Sequence, residues 1–330
     1  MGSGELLDAK ALDQACKVVW ESPDCVRTPL LKNIEKLGFV DVPEGVQVHL
    51  KLENMQLTGS FKSRGVASQM AQAPEEIVSG KKQLVTISAG NYGKTFAYFC
   101  KSRGIQGNVI MPITAPDSRQ TLIEKIGCKV LRVPTADLMM KVNQLVKEEG
   151  MTFLHPFDDV SIIAGYGSVG AEIVDEVKPD VVLVCCGGGG LLSGVAASIR
   201  LLGYNECKIY GVEPETANTM QLSLQSGEAA SLSTAHSVAA GLAPPFAGKI
   251  CYKHASKFAD GVITLSDSEI AAATKVLYQR GLLVEPSGAA AFGAVMFGKV
   301  PDLRGTVVAV VTGGNATPSE MAEMFEQFAL

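Results

Sequence analysis

The chain has 330 residues, 47% apolar and 19% charged, with 29 Lys and Arg against 34 Asp and Glu for a net charge of −5. That length supports two lobes or one large α/β unit, and its cations are too scattered for a nucleic-acid patch or a basic membrane face. The eight cysteines form no C-x-x-C pair, no signal-peptide pattern opens the sequence and no apolar stretch reaches a membrane span, so a soluble, cytoplasmic protein with reduced thiols is expected.

In chain order, the half-apolar run Val48–Leu57 leads into Gly59-Ser60-Phe61-Lys62-Ser63-Arg64. An ammonium in such a partly dry setting loses solvation, its pKa falls, and its neutral amine becomes a usable nucleophile. Neutral lysines form Schiff bases with aldehydes, of which pyridoxal phosphate (PLP) is the commonest biological example. Next, Leu84–Ile87 reads as a strand that enters a helix over Gly93–Arg103 through Ser88-Ala89-Gly90-Asn91-Tyr92-Gly93-Lys94-Thr95. This loop misses the G-x-x-x-x-G-K-[ST] pattern by one residue, since Ser88 stands at the first glycine position. No candidate strand ends in the Asp that Mg²⁺ would need, which weighs against a P-loop-like nucleotide hydrolase. A small anion such as a substrate carboxylate, held by Ser88, Asn91 and exposed amides, is the better use of the loop.

Strand Asn108–Met111, helix Ala115–Ile126, strand Lys129–Val133 and helix Ala136–Glu149 complete this first series. A second begins with the buried-strand run Val181-Val182-Leu183-Val184, then Gly187-Gly188-Gly189-Gly190 and a helix over Leu191–Leu202. Glycines between an apolar strand and a helix let backbone amides converge on an anion, aided by the helix N-terminus. The dinucleotide spacing G-x-G-x-x-G fails here in every frame, so a phosphate cradle is the reading. Strands Lys208–Val212 and Thr306–Val311 follow, and the Ala-rich patches Ala271–Ala273 and Ala289–Ala291 read as tightly packed helices. Glu213, Ala217 and Thr219 could offer oxygen ligands to a cation, with helix capping the simpler use. Thr312, ending the last strand, could partner a pyridine nitrogen. The four histidines pair with no nucleophile in any recognisable spacing and read as structural or surface residues.

β-Branched runs separated by helical stretches predict parallel strands with helical crossovers. The expected architecture is α/β: two open, mostly parallel sheets in two lobes. Residues 1–52 and 156–330 would form a large PLP-binding domain and 53–155 a small one. The site is expected between them, at the carboxyl ends of the strands.

Taken together, Leu52–Gly65, Ser88–Gly93, Gly187–Gly194, Val284–Gly288 and Thr312–Asn315 resemble the fold-type-II PLP enzymes, the serine/threonine dehydratases and serine racemases in particular. His155–Asp159 and Gly165–Glu172 extend the resemblance. It implies that Lys62 is the Schiff-base lysine and the base for the substrate α-proton, that Phe61 packs beside the cofactor ring and that Asn91 bonds its 3′-hydroxyl. Gly187, Gly188, Gly189, Gly190 and Leu191 would hold the phosphate, and Thr312 would face the pyridine nitrogen. Ser88, Ala89, Gly90, Asn91 and Tyr92 would bind the substrate, a small amino acid.

Departures from the family pattern refine this. Serine racemases put a serine where this chain has Ala89, and an alanine has no proton to give to the face opposite the lysine. Elimination is therefore expected over inversion: an L-serine or L-threonine ammonia-lyase giving a 2-oxo acid, with a serine or aspartate-type racemase or a hydroxyaspartate dehydratase as alternatives. Thr219 stands near an Asp of the racemases' divalent site, which makes K⁺ expected more than Mg²⁺ at Glu213, Ala217 and Thr219. Lys94 could favour an acidic substrate side chain or equally face solvent. A homodimer is usual among such enzymes.

Overall fold

The structure, a computed structural model, describes residues 6–73, 75–79 and 81–330. Two sheets organise it. The larger has the order β1 (Leu30–Leu31), β2 (Gln47–Leu52), β10 (Thr306–Val311), β7 (Val181–Cys185), β8 (Lys208–Pro214), β9 (Gly261–Leu265), and only β1 runs antiparallel to its neighbour. The smaller has the order β5 (Lys129–Val133), β4 (Gly107–Pro112), β3 (Leu84–Ile87), β6 (Thr152–Phe153), all parallel.

The strand sequences explain their places. β7 (VVLVC) and β10 (TVVAVV) are near-continuous apolar runs, as strands covered by helices on both faces must be. They pair in register, Val308 beside Val182 and Ala309 beside Leu183, at the centre of the larger sheet. Helices α4 (Asn91–Ser102), α5 (Asp117–Ile126) and α6 (Leu138–Glu149) connect the strands of the smaller sheet. Around the larger sheet lie α7 (Val160–Glu176), α8 (Gly190–Leu201), α9 (Thr219–Ser226), α10 (Lys249–Phe258), α11 (Asp267–Gln279) and α12 (Pro286–Met296). The chain's remaining helices are α1 (Ala9–Glu21), α2 (Lys62–Ala71), α3 (Glu75–Val78) and α13 (Pro318–Gln327). The Ala-rich patches fall in α11 and α12, and α12 is buried along almost its whole length.

The expected α/β architecture of two mostly parallel sheets is what the chain adopts. The strands that the sequence reading does not include are the short β1 and β6, β9, and β2, whose segment reads there only as a half-apolar run. The expected domain division includes residues 1–5, 74 and 80, which lie outside the described residues. The carboxyl ends of β2, β10, β7 and β3 lead into Glu53, Thr312, Cys186 and Ser88, so the motif-bearing loops all leave the sheets from the same kind of edge.

Candidate active site

Lys62 is the first residue of α2. The segment before it is stitched to the end of β10: Ser60 bridges Gly313, Phe61 N–H donates to the Thr312 carbonyl at 3.0 Å, and Gly314 N–H donates to the Gly59 carbonyl at 3.0 Å. The residue before Lys62 is therefore hydrogen-bonded to Thr312, although 250 positions separate Lys62 from Thr312. The Lys62 ammonium donates to the Pro156 carbonyl at 3.1 Å and lies 4.8, 5.5 and 5.6 Å from the ring centres of Phe61, Tyr166 and Tyr92. Packing around it pushes its pKa down to about 8, with the nearby Cys251 thiol acting weakly in the other direction. At pH 7 about one such lysine in ten is neutral, against fewer than about one in a thousand for an unperturbed one.

Behind this lysine lies a fully buried set of charges that sequence reasoning missed. Arg64 donates to Glu53 at 2.7 and 2.8 Å and to Glu172 at 2.6 and 2.7 Å, and Lys51 meets Glu172 at 2.8 Å. Trp20 adds an indole donor to Glu172 at 2.9 Å, and Ser168 accepts from Arg64 at 3.1 Å. Two cations and two anions balance, so β2, α2 and α7 are pinned together without an unpaired buried charge. The available signal was a lysine, an arginine and a glutamate set within otherwise apolar or small runs.

The glycine loop joins β7 to α8. Gly189 has φ of +98°, a conformation L side chains rarely adopt. A Cβ at Gly188 would lie 2.4 Å from the Phe157 ring, and one at Gly190 would lie 2.9 Å from the Phe157 carbonyl. Phe157 thus packs against the loop, while the preceding residue, Pro156, accepts from Lys62. Among the described residues the amides of Gly187 to Leu191 donate to no side chain or loop carbonyl, and the α8 N-terminus points its partial positive charge the same way. Free amides with a helix N-terminus behind them are the chemistry of an anion cradle.

On the other side of Lys62, Ser88 Oγ accepts from Gly90 and Gly93 at 3.2 and 2.9 Å and so shapes the start of α4. Ala89 and Gly90 lie at the loop's tip, and Gly90 is exposed. Asn91, first residue of α4, donates to Glu285 and accepts from Asn315 at 2.7 Å. The Tyr92 hydroxyl turns away into the protein, donating to Gln69 at 2.7 Å. Lys94 donates to Asn315 at 2.6 Å, a partner neither sequence reading of that residue supplied. Thr312 is buried and donates to the Ser287 carbonyl at 3.2 Å, which leaves its oxygen able to accept.

Glu213, Ala217 and Thr219 come together at the N-terminus of α9. Each Glu213 oxygen accepts a backbone amide, from Met220 and Gln221 at 2.9 Å, as helix capping would have it. Burial pushes its pKa up to about 8, against those two amides and the Cys186 thiol. The buried Thr219 hydroxyl has no hydrogen-bond partner among the described residues. The histidines serve the backbone: His49, His155 and His254 accept amides from Asn33, Asp158 and Leu7 at 3.0, 2.8 and 2.9 Å.

The model of a family described as "Pyridoxal-phosphate dependent enzyme" matches residues 22–313. The chain belongs to that family. It is 32% identical over 307 residues to the catabolic L-threonine dehydratase of Staphylococcus aureus, covering 91% of this chain and 87% of that one. Among solved structures, it is similar to the processed form of threonine deaminase isoform 2 from Solanum lycopersicum, with a TM-score of 0.84, 28% identity and 100% and 99% of the two chains covered. It is likewise similar to serine racemase from Dictyostelium discoideum, with a TM-score of 0.83, 29% identity and 94% and 99% covered. The residues present fit the family's cofactor: a desolvated lysine for its aldehyde and a cradle of free amides, closed to any Cβ, for its phosphate.

Proposed function

We propose that this PLP-dependent enzyme is an L-serine or L-threonine ammonia-lyase, removing the β-hydroxyl and the amino group to give a 2-oxo acid and ammonia. One observation carries the direction of the reaction: Lys62, its pKa pushed down to about 8, is the site's acid/base, and the loop ending at Tyr92, whose ring centre lies 5.6 Å from its ammonium, carries Ala89 where a second proton donor would be needed. The cofactor, when bound, supplies an electron sink for charge developing at the substrate's α-carbon.

The chain's own residues do the rest. Lys62 would hold the cofactor by its aldehyde and take the α-proton, its amine steered by the Pro156 carbonyl. Gly187 to Leu191 would hold the phosphate, Phe61 would pack beside the ring, and Asn91 would donate to the ring's 3′-oxygen. The Thr312 hydroxyl, on turning its one proton from the Ser287 carbonyl to the pyridine nitrogen, would be an uncharged partner and leave the ring a milder sink than a carboxylate would, which suits a reaction that ends by losing a leaving group. The α4 N-terminus and the loop Ser88–Tyr92, through the amides of Ala89, Asn91 and Tyr92, take the substrate carboxylate. We assign 1–52 with 156–330 to the larger lobe and 53–155 to the smaller, and we place K⁺ at Glu213, Ala217 and Thr219. A buried carboxylate disfavoured by desolvation and an unpartnered hydroxyl support a monovalent cation there.

Racemisation is the second reading, favoured by the likeness to the Dictyostelium serine racemase. The test is to offer L-serine, L-threonine and hydroxyaspartate to cofactor-saturated protein and measure 2-oxo acid against D-amino acid. Borohydride treatment should leave a cofactor adduct on the peptide containing Lys62. A protein that takes up no PLP and carries no adduct would end the reading; D-serine as the main product would replace it with the second.

A further inference from the structure

Beside the substrate loop, three hydrogen bonds form one chain with a fixed direction. Lys94 donates to Asn315 Oδ1 at 2.6 Å, Asn315 Nδ2 donates to Asn91 Oδ1 at 2.7 Å, and Asn91 Nδ2 donates to a Glu285 oxygen. The second Asn315 N–H goes to the Thr58 carbonyl at 2.9 Å, so that amide is used completely. A carboxamide can present either its donor or its acceptor end, and two in series could run in either direction. Here the ammonium end sets the direction, because Lys94 can only donate; the buried carboxyl at the other end follows it, accepting while ionised and able to donate when protonated.

We propose that Lys94, acting through Asn315, is a positioning residue that fixes the polarity of this relay, so that Asn91 presents a donor and never its carbonyl to the cofactor's ring oxygen. One Asn91 N–H is taken by Glu285 and the other is free for that oxygen, which rests on the placement of Asn91 given under the proposed function. Burial prevails at both ends: it holds the Lys94 pKa below its ordinary value against the charge of Glu285, with Arg119 adding to the lowering, and it holds the Glu285 pKa above its ordinary value against Asn91, Arg119, the Asn315 backbone amide and Lys94. Lys94 is thus one of the groups that keep this carboxyl an acceptor. Arg119 itself is held by Glu320 at 2.7 Å and the Asn315 carbonyl at 3.2 Å. Lys94 stands three positions after Asn91 on α4, on the same face of the helix, which is what lets one asparagine from beyond β10 touch both.

A donor favours the ionised ring oxygen, and an inverted relay would favour the protonated one. The readout is the ratio of the visible to the near-ultraviolet absorption band of bound PLP in the saturated enzyme. Lys94→Met should lower that ratio about tenfold, the scale of one hydrogen bond to a charged oxygen. Lys94→Arg, also a pure donor, should stay within about twofold of the unaltered protein. Glu285→Gln removes the carboxyl end, should shift the ratio the same way as Lys94→Met, and carries the test if Lys94→Met fails to fold. An unchanged ratio in the folded variant, or an Arg variant shifted as far as the Met variant, overturns the proposal. Absence of a visible band in the unaltered protein overturns the cofactor reading and this proposal with it.

Discussion

The buried charges behind Lys62 make a sharp prediction for Glu172→Gln. The Glu172 carboxylate accepts from the buried Arg64 at 2.6 and 2.7 Å and the buried Lys51 at 2.8 Å, and from the indole of the exposed Trp20 at 2.9 Å. Glutamine keeps the shape but removes the charge, and its N–H₂ must face a cation. Arg64 keeps Glu53, whereas Lys51 keeps only the Thr28 carbonyl at 2.7 Å and the partly exposed Glu176 at 3.7 Å. Leaving a buried cation without its partner costs about 3–5 kcal/mol. For a chain of this length that lowers the melting temperature by about 5–10 °C.

The same variant carries a pH signature. Burial would raise the Glu172 pKa, but Arg64, by hydrogen bonding and charge, and then Lys51 hold it below the ordinary carboxylate value. A group with a depressed folded pKa contributes stability that is present above the unfolded value, about 4.3, and lost as pH falls through the folded one. The gap between the unaltered protein and Glu172→Gln should therefore be full at neutral pH and close below about pH 4. Thermal melts at fixed cofactor and protein concentration measure it. A variant melting within about 2 °C of the unaltered protein at pH 7, less than 1 kcal/mol, would refute the reasoning, as would a gap that stays constant into acid.

Three further outcomes are expected. Gly189→Ala imposes a side chain at φ +98° whose Cβ would lie 2.4 Å from Met220 and 2.9 Å from Cys251, so PLP affinity should fall about tenfold or more, read by titration of cofactor-free protein; unchanged affinity would remove the loop from the phosphate. The rate at which cofactor-free protein takes up PLP should rise with pH and level off above about 8, where the Lys62 amine is neutral; a rate still climbing toward the ordinary lysine value of 10.5 would show an undisturbed ammonium. Ala89→Ser should raise D-serine relative to pyruvate formed from L-serine, and an unmoved product ratio counts against Ala89 as the reason for elimination.

What was legible in the sequence depended on how locally each feature is written. Leu84–Ile87, Lys129–Val133 and Thr306–Val311 are the strands the sequence predicts to the residue, because each run of apolar or β-branched side chains is closed off by polar, glycine or proline residues close on either side. β1 and β6 span two residues each and carry no period at all. Lys62 and the four glycines stand out by composition in a single window. The partners of Lys94 and Arg64 do not: Asn315 is 221 positions from Lys94, and Glu172 is 108 from Arg64. No local pattern encodes such pairs, so the sequence left Lys94 between an acidic substrate and open solvent.

Those long-range pairs divide the work of holding the site. Lys62 is held through α2, which the Ser60–Gly313 bridge ties to β10 and Arg64 ties to Glu53 and Glu172, with every one of those bonds in the interior. The loop that faces it belongs to α4, which touches the larger sheet's side through Asn91–Glu285 and Lys94–Asn315, side chains that are only partly buried. Bonds exposed to water exchange partners more cheaply than buried ions, which have no alternative donor to turn to. Lys62 is thus fixed through buried ions, whereas the start of α4 is held to the segment after β10 through half-buried side chains that water can reach.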